Sequence, residues 1–261
     1  MGKQISRSIT VPFLTILFVT LSLLAWSLAI DLTDFAPVFL IPLSVIFYRS
    51  VYRLQLDTWI AHYELIVKKD SNLYNLINGK LRAHLSALIL TLSSIPVVAW
   101  FFVTAPGSLY SALCAIIVIS CTSFFTIKRS LDKHINEPFA TKYAVYFATL
   151  IGAVLSFLIL WWYAWAIDLH DAKYQLVDLV GAVQLGKSAI PNPNSIFAPL
   201  FTIPFVLEAI KLWSVVQLKD YSNLAFLLSL EAALVGFLIN KLCVIVTYFV
   251  DQVLLGTVYY E

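Results

Sequence analysis

Thr10–Ile30, TVPFLTILFVTLSLLAWSLAI, contains no charged side chain. A helix that crosses the hydrocarbon core of a bilayer needs about 20 mostly apolar residues, and this stretch supplies them. Lys3 and Arg7 precede it, and Asp31 and Asp34 follow. It is too long for the apolar core of a signal peptide and a second apolar run begins at once, so it is expected to be retained as a span.

The rest of the chain repeats the pattern. Of its 261 residues, 61% are hydrophobic, against roughly 45–50% in soluble domains. Charged residues make up 12%, and the mean hydropathy is +0.87. A soluble fold of this size has too much surface to hide so much apolar material. The same composition excludes disorder, and a net charge of +2 offers no basic face for nucleic acid. The expected fold class is all-α: a polytopic helical transmembrane bundle of six or seven spans forming one integral membrane domain over residues 1–261.

The second span starts near Phe35 and runs past Ile46, with Pro37 and Pro42 tolerated in its first turns. A third covers about Leu85 to Val103, and a fourth Leu109 to Ile127. Glu137-Pro138 opens a fifth, which ends in the aromatic cluster Trp161, Trp162, Tyr163 and Trp165. Residues 168–195 read as an outer loop, and residues 196–250 as a terminal charged hairpin of two further apolar stretches. With seven spans, residues 251–261 would end on the outer side.

Twelve of the seventeen Lys and Arg residues lie at the amino terminus, between Arg49 and Arg82, or between Lys128 and Lys142. The intervening turns at Asp31 and Ala105 hold none. The positive-inside rule therefore puts the amino terminus in the cytoplasm of a multi-pass cell-membrane protein. Glycine occurs only 8 times, a low figure where small residues let transmembrane helices approach closely. Cys114, Cys121 and Cys243 fall in apolar runs without metal-ligand spacing and read as inert thiols.

Residues 50–83 form the main cytoplasmic segment, expected as an amphipathic helix continuing the second span. Tyr52, Leu56, Trp59, Ile60, Tyr63, Ile66 and Val67 recur at helical spacing, and Arg53/Asp57 and Glu64/Lys68 are four apart. Such a stripe must cover something, and Trp59, Ile60 and Tyr63 are its candidate contacts to the membrane surface, another subunit or a cytoplasmic protein. Residues 71–81 read as a second short helix.

Three charges sit inside the terminal apolar stretches: Glu208 and Lys211 in the first, Glu231 in the second. Counted from the turn Lys219-Asp220-Tyr221-Ser222, all three reach a similar depth, about 14–19 Å along antiparallel helices. A charge in the hydrocarbon costs about 2.5–3.5 kcal/mol on insertion scales, so the three should pair or face water. Glu231 then reads as the acidic site of an ion pathway, Lys211 as its counter-ion and Glu208 as a second acid. The rival reading is a structural ion-pair network. Lys241, further along, reads as snorkelling to the outer face.

Asp168, His170 and Asp171 form an incomplete metal-ligand group that reads better as a solvated helix end. His84 reads as an interfacial cap. The chain carries no metalloprotease His-Glu pair, nucleophile elbow, phosphate loop or dinucleotide fingerprint, so an enzyme is disfavoured and no cofactor or metal is expected. The leading expectation is an integral membrane subunit of an oligomer or larger membrane complex that forms or lines an ion-conducting pathway. The alternative is a non-transporting scaffold or sensor that recruits a soluble cytoplasmic partner through the helix from Tyr52 to Val67.

Overall fold

The computed structural model describes residues 2–30, 32–66, 79–104, 107–166, 172–191, 193–194, 198–217 and 222–256, some of them by backbone alone. It is 89% helical, with no strand among the described residues. The helices are α1 (Gly2–Ala29), α2 (Ile41–Ile66), α3 (Lys80–Thr104), α4 (Gly107–Leu131), α5 (Phe139–Ala166), α6 (Ala172–Gln175), α7 (Leu179–Ser188), α8 (Ala198–Gln217) and α9 (Ser222–Gly256). Among the described residues, six stretches are long and apolar enough to cross a membrane: Thr10–Ala29, Ala36–Glu64, Lys80–Val103, Cys114–Leu131, Phe139–Trp162 and Ala233–Val253. The chain is a multi-pass helical bundle.

Local sequence explains the boundaries. Pro37 falls in the first turn of a 3-10 segment, Ala36–Leu40, that leads into α2, where a missing N–H costs nothing. Gly79, at a φ of +68°, turns the chain into α3 under the indole of Trp59. A side chain there would be strained by the left-handed backbone and would collide with that ring. Asp178 caps α7 by accepting the Gly181 N–H at 2.8 Å. As the stripe predicted, α2 continues the second span as one helix. Residues 71–78 of the expected short helix lie outside the described residues, and α3 begins at Lys80.

The bundle is organised around α9. It packs along α5 and touches α1, α2, α3 and α4, and 67% of its apolar window is buried, against 28–39% for the other five. The main core joins Leu23, Leu43, Phe47, Val98, Phe124, Leu242 and Ile245. Phe13, Leu21, Ile89, Leu92, Tyr146 and Val154 point outward, an apolar perimeter suited to lipid rather than water.

Helix directions fix where the termini of each element lie. Gly236 of α9 sits against Ser156 of α5, and Asn240 against Gly152. As one number rises the other falls, so the two helices are antiparallel. The end of α9 therefore lies beside the start of α5, at the end of the bundle that carries Arg53, Lys128 and Lys142 (the basic end hereafter). Tyr248 accordingly lies within electrostatic reach of Arg53, Asp57 and Glu137.

The same geometry corrects the seven-span alternative. Phe201, in the first turn of α8, meets Trp26 with ring centroids 6.1 Å apart, near the far end of α1 from the basic end. The last residue of α8, Gln217, is separated only by residues 218–221 from Ser222, where α9 begins beyond that same far end. The five residue steps from Gln217 to Ser222 span at most about 17–18 Å even when extended, so α8 cannot have reached the basic end. It starts and finishes on one side. Among the described residues six helices cross the bundle, and α9 carries Asp251, near its end, to the basic end rather than opposite it.

Within residues 168–195, expected as a loop, the structure holds α6 and α7. Together with α8 they form a cap with its own small core of Tyr174, Ala182, Ala209 and Val216.

Candidate functional site

Three polar groupings could bear function: a buried knot at mid-bundle, the charged residues of the cap, and the basic end.

The knot is centred on Asn240, which is fully buried. Its Nδ2 donates to Ser156 Oγ at 2.7 Å and to Gly236 O at 2.7 Å. Its Oδ1 lies 2.5 Å from Ser120 Oγ, whose hydroxyl also lies 2.9 Å from Ile116 O. This ties α4, α5 and α9 together. The close approach follows from sequence: Ala140, Ala144, Ala148, Gly152 and Ser156 recur at four-residue spacing and lay a stripe of small side chains against α9. A Cβ at Gly152 would overlap both Ser120 and Asn240. About two turns towards the basic end, Thr247 Oγ1 donates to Cys243 O at 2.8 Å and also lies 3.0 Å from Cys121 Sγ. Alanine and serine thus perform the packing that the low glycine count argued against.

Lys241 follows Asn240 and lies near the middle of the Ala233–Val253 stretch. Its Nζ sits 5.3 Å from the Phe237 ring centroid, one turn towards the far end. The ammonium thus leans toward the far end, as helical side chains lean toward their helix N-terminus. One turn covers about 6 Å, however, whereas the half-thickness of a hydrocarbon core is about 15 Å. The side chain is partly exposed, and among the described residues no carboxylate pairs with it.

In the cap, Lys211 Nζ lies 2.6 Å from Glu208 Oε1 and 2.7 Å from Oε2. About a fifth to a quarter of each side chain is exposed (24% for Lys211, 21% for Glu208). The pairing expected at three-residue spacing is present. The backbone of Glu231 lies on α9, and its side chain lies outside the described residues, so the expected three-way convergence is known only for its Glu208–Lys211 half. The main partner of α8 is α7. Trp213 Nε1 donates to Val177 O at 2.9 Å, Gln217 Nε2 to Tyr174 O at 3.2 Å, and Gly186 lies against the α8 backbone at Phe205 and Val206. Asp168, His170 and Asp171 lie outside the described residues, and no group able to hold a metal occurs among those described.

At the basic end, Lys128 Nζ lies 3.1 Å from Glu137 Oε1, and Thr141 Oγ1 donates to the same carboxylate at 2.7 Å. Partial burial raises the Asp132 carboxyl above its ordinary range, with Lys128 opposing the shift and Glu137 adding to it. His84, expected as a simple cap, stacks on Tyr52 with centroids 4.2 Å apart and bonds Tyr48 Oη through Nδ1 at 2.5 Å. Of the three candidate contact residues on α2, Trp59 lies under the Arg82 guanidinium, 4.5 Å from ring centroid to Cζ, and stacks on Tyr63 at 5.6 Å. Only Ile60 of the three is classed as exposed, at 36%.

Asn240 was the residue sequence reading passed over. Its signal was available: an amide one turn after Gly236, facing a helix with small residues every four positions. No family model, curated protein or solved structure matches the chain.

Proposed function

We propose that this chain is an integral subunit of a larger membrane assembly in which a neighbouring transmembrane helix supplies a carboxylate to Lys241. One observation carries the reading: a cation on the central helix, near mid-depth, partly exposed and without an acidic partner among the described residues. A lone ammonium at that depth costs about 2.5–3.5 kcal/mol, and a single aromatic ring offsets only part of it. An acidic side chain from a second chain, of the same or another sequence, removes the cost. The positive-inside rule places the basic end in the cytoplasm and the cap on the outer face of the cell membrane.

Conduction is the second reading. It is favoured by the partial exposure of Glu208 and Lys211, which lets an ion approaching the cap touch both. It gains no support from the bundle centre, where Asn240, Ser120, Ser156 and Gly152 close on one another. Recruitment of a soluble partner through α2 finds Trp59 and Tyr63 already stacked on each other, leaving Ile60 as the freest of the three.

The test is the mass of the gently solubilised complex for wild type, Lys241→Gln and Lys241→Arg. The expected result is a mass above the 29.3 kDa of the single chain, lost in K241Q and kept in K241R. A wild type that runs as one chain in every mild detergent would overturn the proposal.

A further inference from the structure

At the basic end, α2, α3 and α5 line a half-open cavity of about 310 Å³. Trp59, His62, Arg82, Lys142 and Tyr143 line it, and among the described residues no carboxylate does. Among the described residues neither Arg82 nor Lys142 has an acidic partner. Arg82 instead lies over the Trp59 ring, an arrangement that orients the guanidinium without neutralising it. Glu137, the nearest acid along the chain from Lys142, is engaged by Lys128 and Thr141. The cavity is a concave, positively charged space closed on one side by aromatic rings.

Arg82 also heads a second feature. A shallow, open apolar groove on the surface of α3 alone runs from it past Leu81, Leu85, Ile89 and Leu90. Leu85 and Ile89 are 51% and 64% exposed. A cationic chamber and an apolar track thus meet at one side chain, at the edge of a membrane-spanning helix. The chamber suits a phosphate, which a fork of guanidinium donors and an ammonium recognise. The track suits an acyl chain.

We infer that this cavity binds the phosphate headgroup of an anionic phospholipid, with Arg82 and Lys142 contacting the phosphate and an acyl chain lying along Leu85 and Ile89. Free phosphate shares the headgroup chemistry but has no use for the groove. The position also fits the leaflet: a basic pocket between transmembrane helices at a lysine- and arginine-rich end faces anionic lipid.

The test uses the full-length protein in nanodiscs of phosphatidylcholine doped with phosphatidylglycerol, the bound lipid being counted after extraction or by native mass measurement. The expected result is enrichment of phosphatidylglycerol over its bulk fraction, reduced roughly thirtyfold in affinity in Arg82→Gln/Lys142→Gln. The charge-preserving pair Arg82→Lys/Lys142→Arg should retain most of the enrichment, and Lys133→Gln, outside the cavity, all of it. Leu85→Ser should weaken retention of lipid without changing binding of inorganic phosphate. Absence of enrichment in the wild type overturns the inference. So does equal loss in K133Q, which marks diffuse surface attraction, or displacement of the lipid by millimolar inorganic phosphate, which marks a soluble-anion site. If the neutral double variant fails to fold, Lys142→Gln read against Lys142→Arg gives the same decision. None of these readouts depends on assembly through Lys241.

Discussion

Asn240 of α9 donates to Ser156 of α5 at 2.7 Å, and both side chains are fully buried. The bond sits where two helices run antiparallel on small side chains, so each of its atoms lacks any alternative partner in lipid or water. A bilayer gives little hydrophobic reason for helices to associate, and packing and interhelical hydrogen bonds therefore carry more of the specificity. Asn240→Ala removes two donors and one acceptor from this seam. The serines can turn to carbonyls of their own helices, as Ser120 already does, which limits the loss to about 1–2 kcal/mol. Unfolding titration in mixed micelles should show that loss. An unchanged midpoint would mean the amide does not hold the seam.

Gly152→Ala tests the packing rather than the bond. The added methyl overlaps Ser120 and Asn240, and neither belongs to a flexible chain that can swing clear. The helices must part, forfeiting close contacts on both sides of the seam, at an expected cost of about 1–3 kcal/mol. Gly181→Ala in α7 meets only Asp178 Oδ1 and Val177, at 3.0 and 3.1 Å. It should cost less than half as much in the same titration. Equal effects at the two glycines would sink the idea that the α4–α5–α9 junction is the tightest in the bundle.

How far these features were legible in the sequence follows from which physical signals are local. Spanning stretches announce themselves through length and hydropathy, and Lys, Arg, Pro or Gly stand near many of their ends. The continuation of α2 beyond its apolar start was readable from the stripe through Trp59 and Tyr63. The role of α8 was not. Phe205, Ala209, Val215 and Val216 are apolar because they pack in a capping hairpin and against the bundle, and hydropathy cannot separate burial in protein from burial in lipid. The pairing of Glu208 with Lys211 is local and was expected from a three-residue spacing. The cavity at Arg82 was not foreseeable, because it needs α2, α3 and α5 to converge.

The cap ion pair should be worth little by itself. With about a fifth of each side chain in solvent, screening and lost side-chain freedom hold the coupling to about 0.5–1 kcal/mol. A double-mutant cycle over Glu208→Gln and Lys211→Gln should return that value. A coupling several times larger would indicate that the pair lies in a far drier setting than its exposure implies. Flux of monovalent cations in liposomes, measured on the same variants, addresses conduction directly. A specific loss of flux in E208Q with assembly intact would favour the second functional reading over the first.

Trp59→Ala removes the ring beneath Arg82 and beside Gly79. The guanidinium loses its cation–π contact, worth about 0.5–1 kcal/mol at an exposed site, and the α2–α3 junction loses its main aromatic plug. Ile60→Ser changes a more exposed neighbour on the same helix and should leave folding within about 0.5 kcal/mol of wild type. Co-purification of a cytoplasmic protein that is abolished by I60S would therefore report a docking face and not a damaged fold. Loss with W59A alone would report only the plug.

The six-span arrangement makes the last prediction, and it is one that composition could not have made. Antiparallel packing of α9 on α5 brings Asp251, only 3% exposed, to the basic end, level with the start of α5. Both the beginning of α1 and the end of α9 then face the same compartment, whereas a seventh crossing by α8 would have separated them. A reporter protein fused after Glu261 should report the same side as one fused before Met1, and a reporter inserted at Lys133, between α4 and α5, should agree with both. An insertion at Asn194, just before α8, should report the opposite side. If the fusion after Glu261 instead agrees with the insertion at Asn194, α8 crosses the bilayer after all. Glu208 and Lys211 then return to the hydrocarbon, and the cap described by Tyr174, Ala182 and Trp213 cannot be how the chain sits in its membrane.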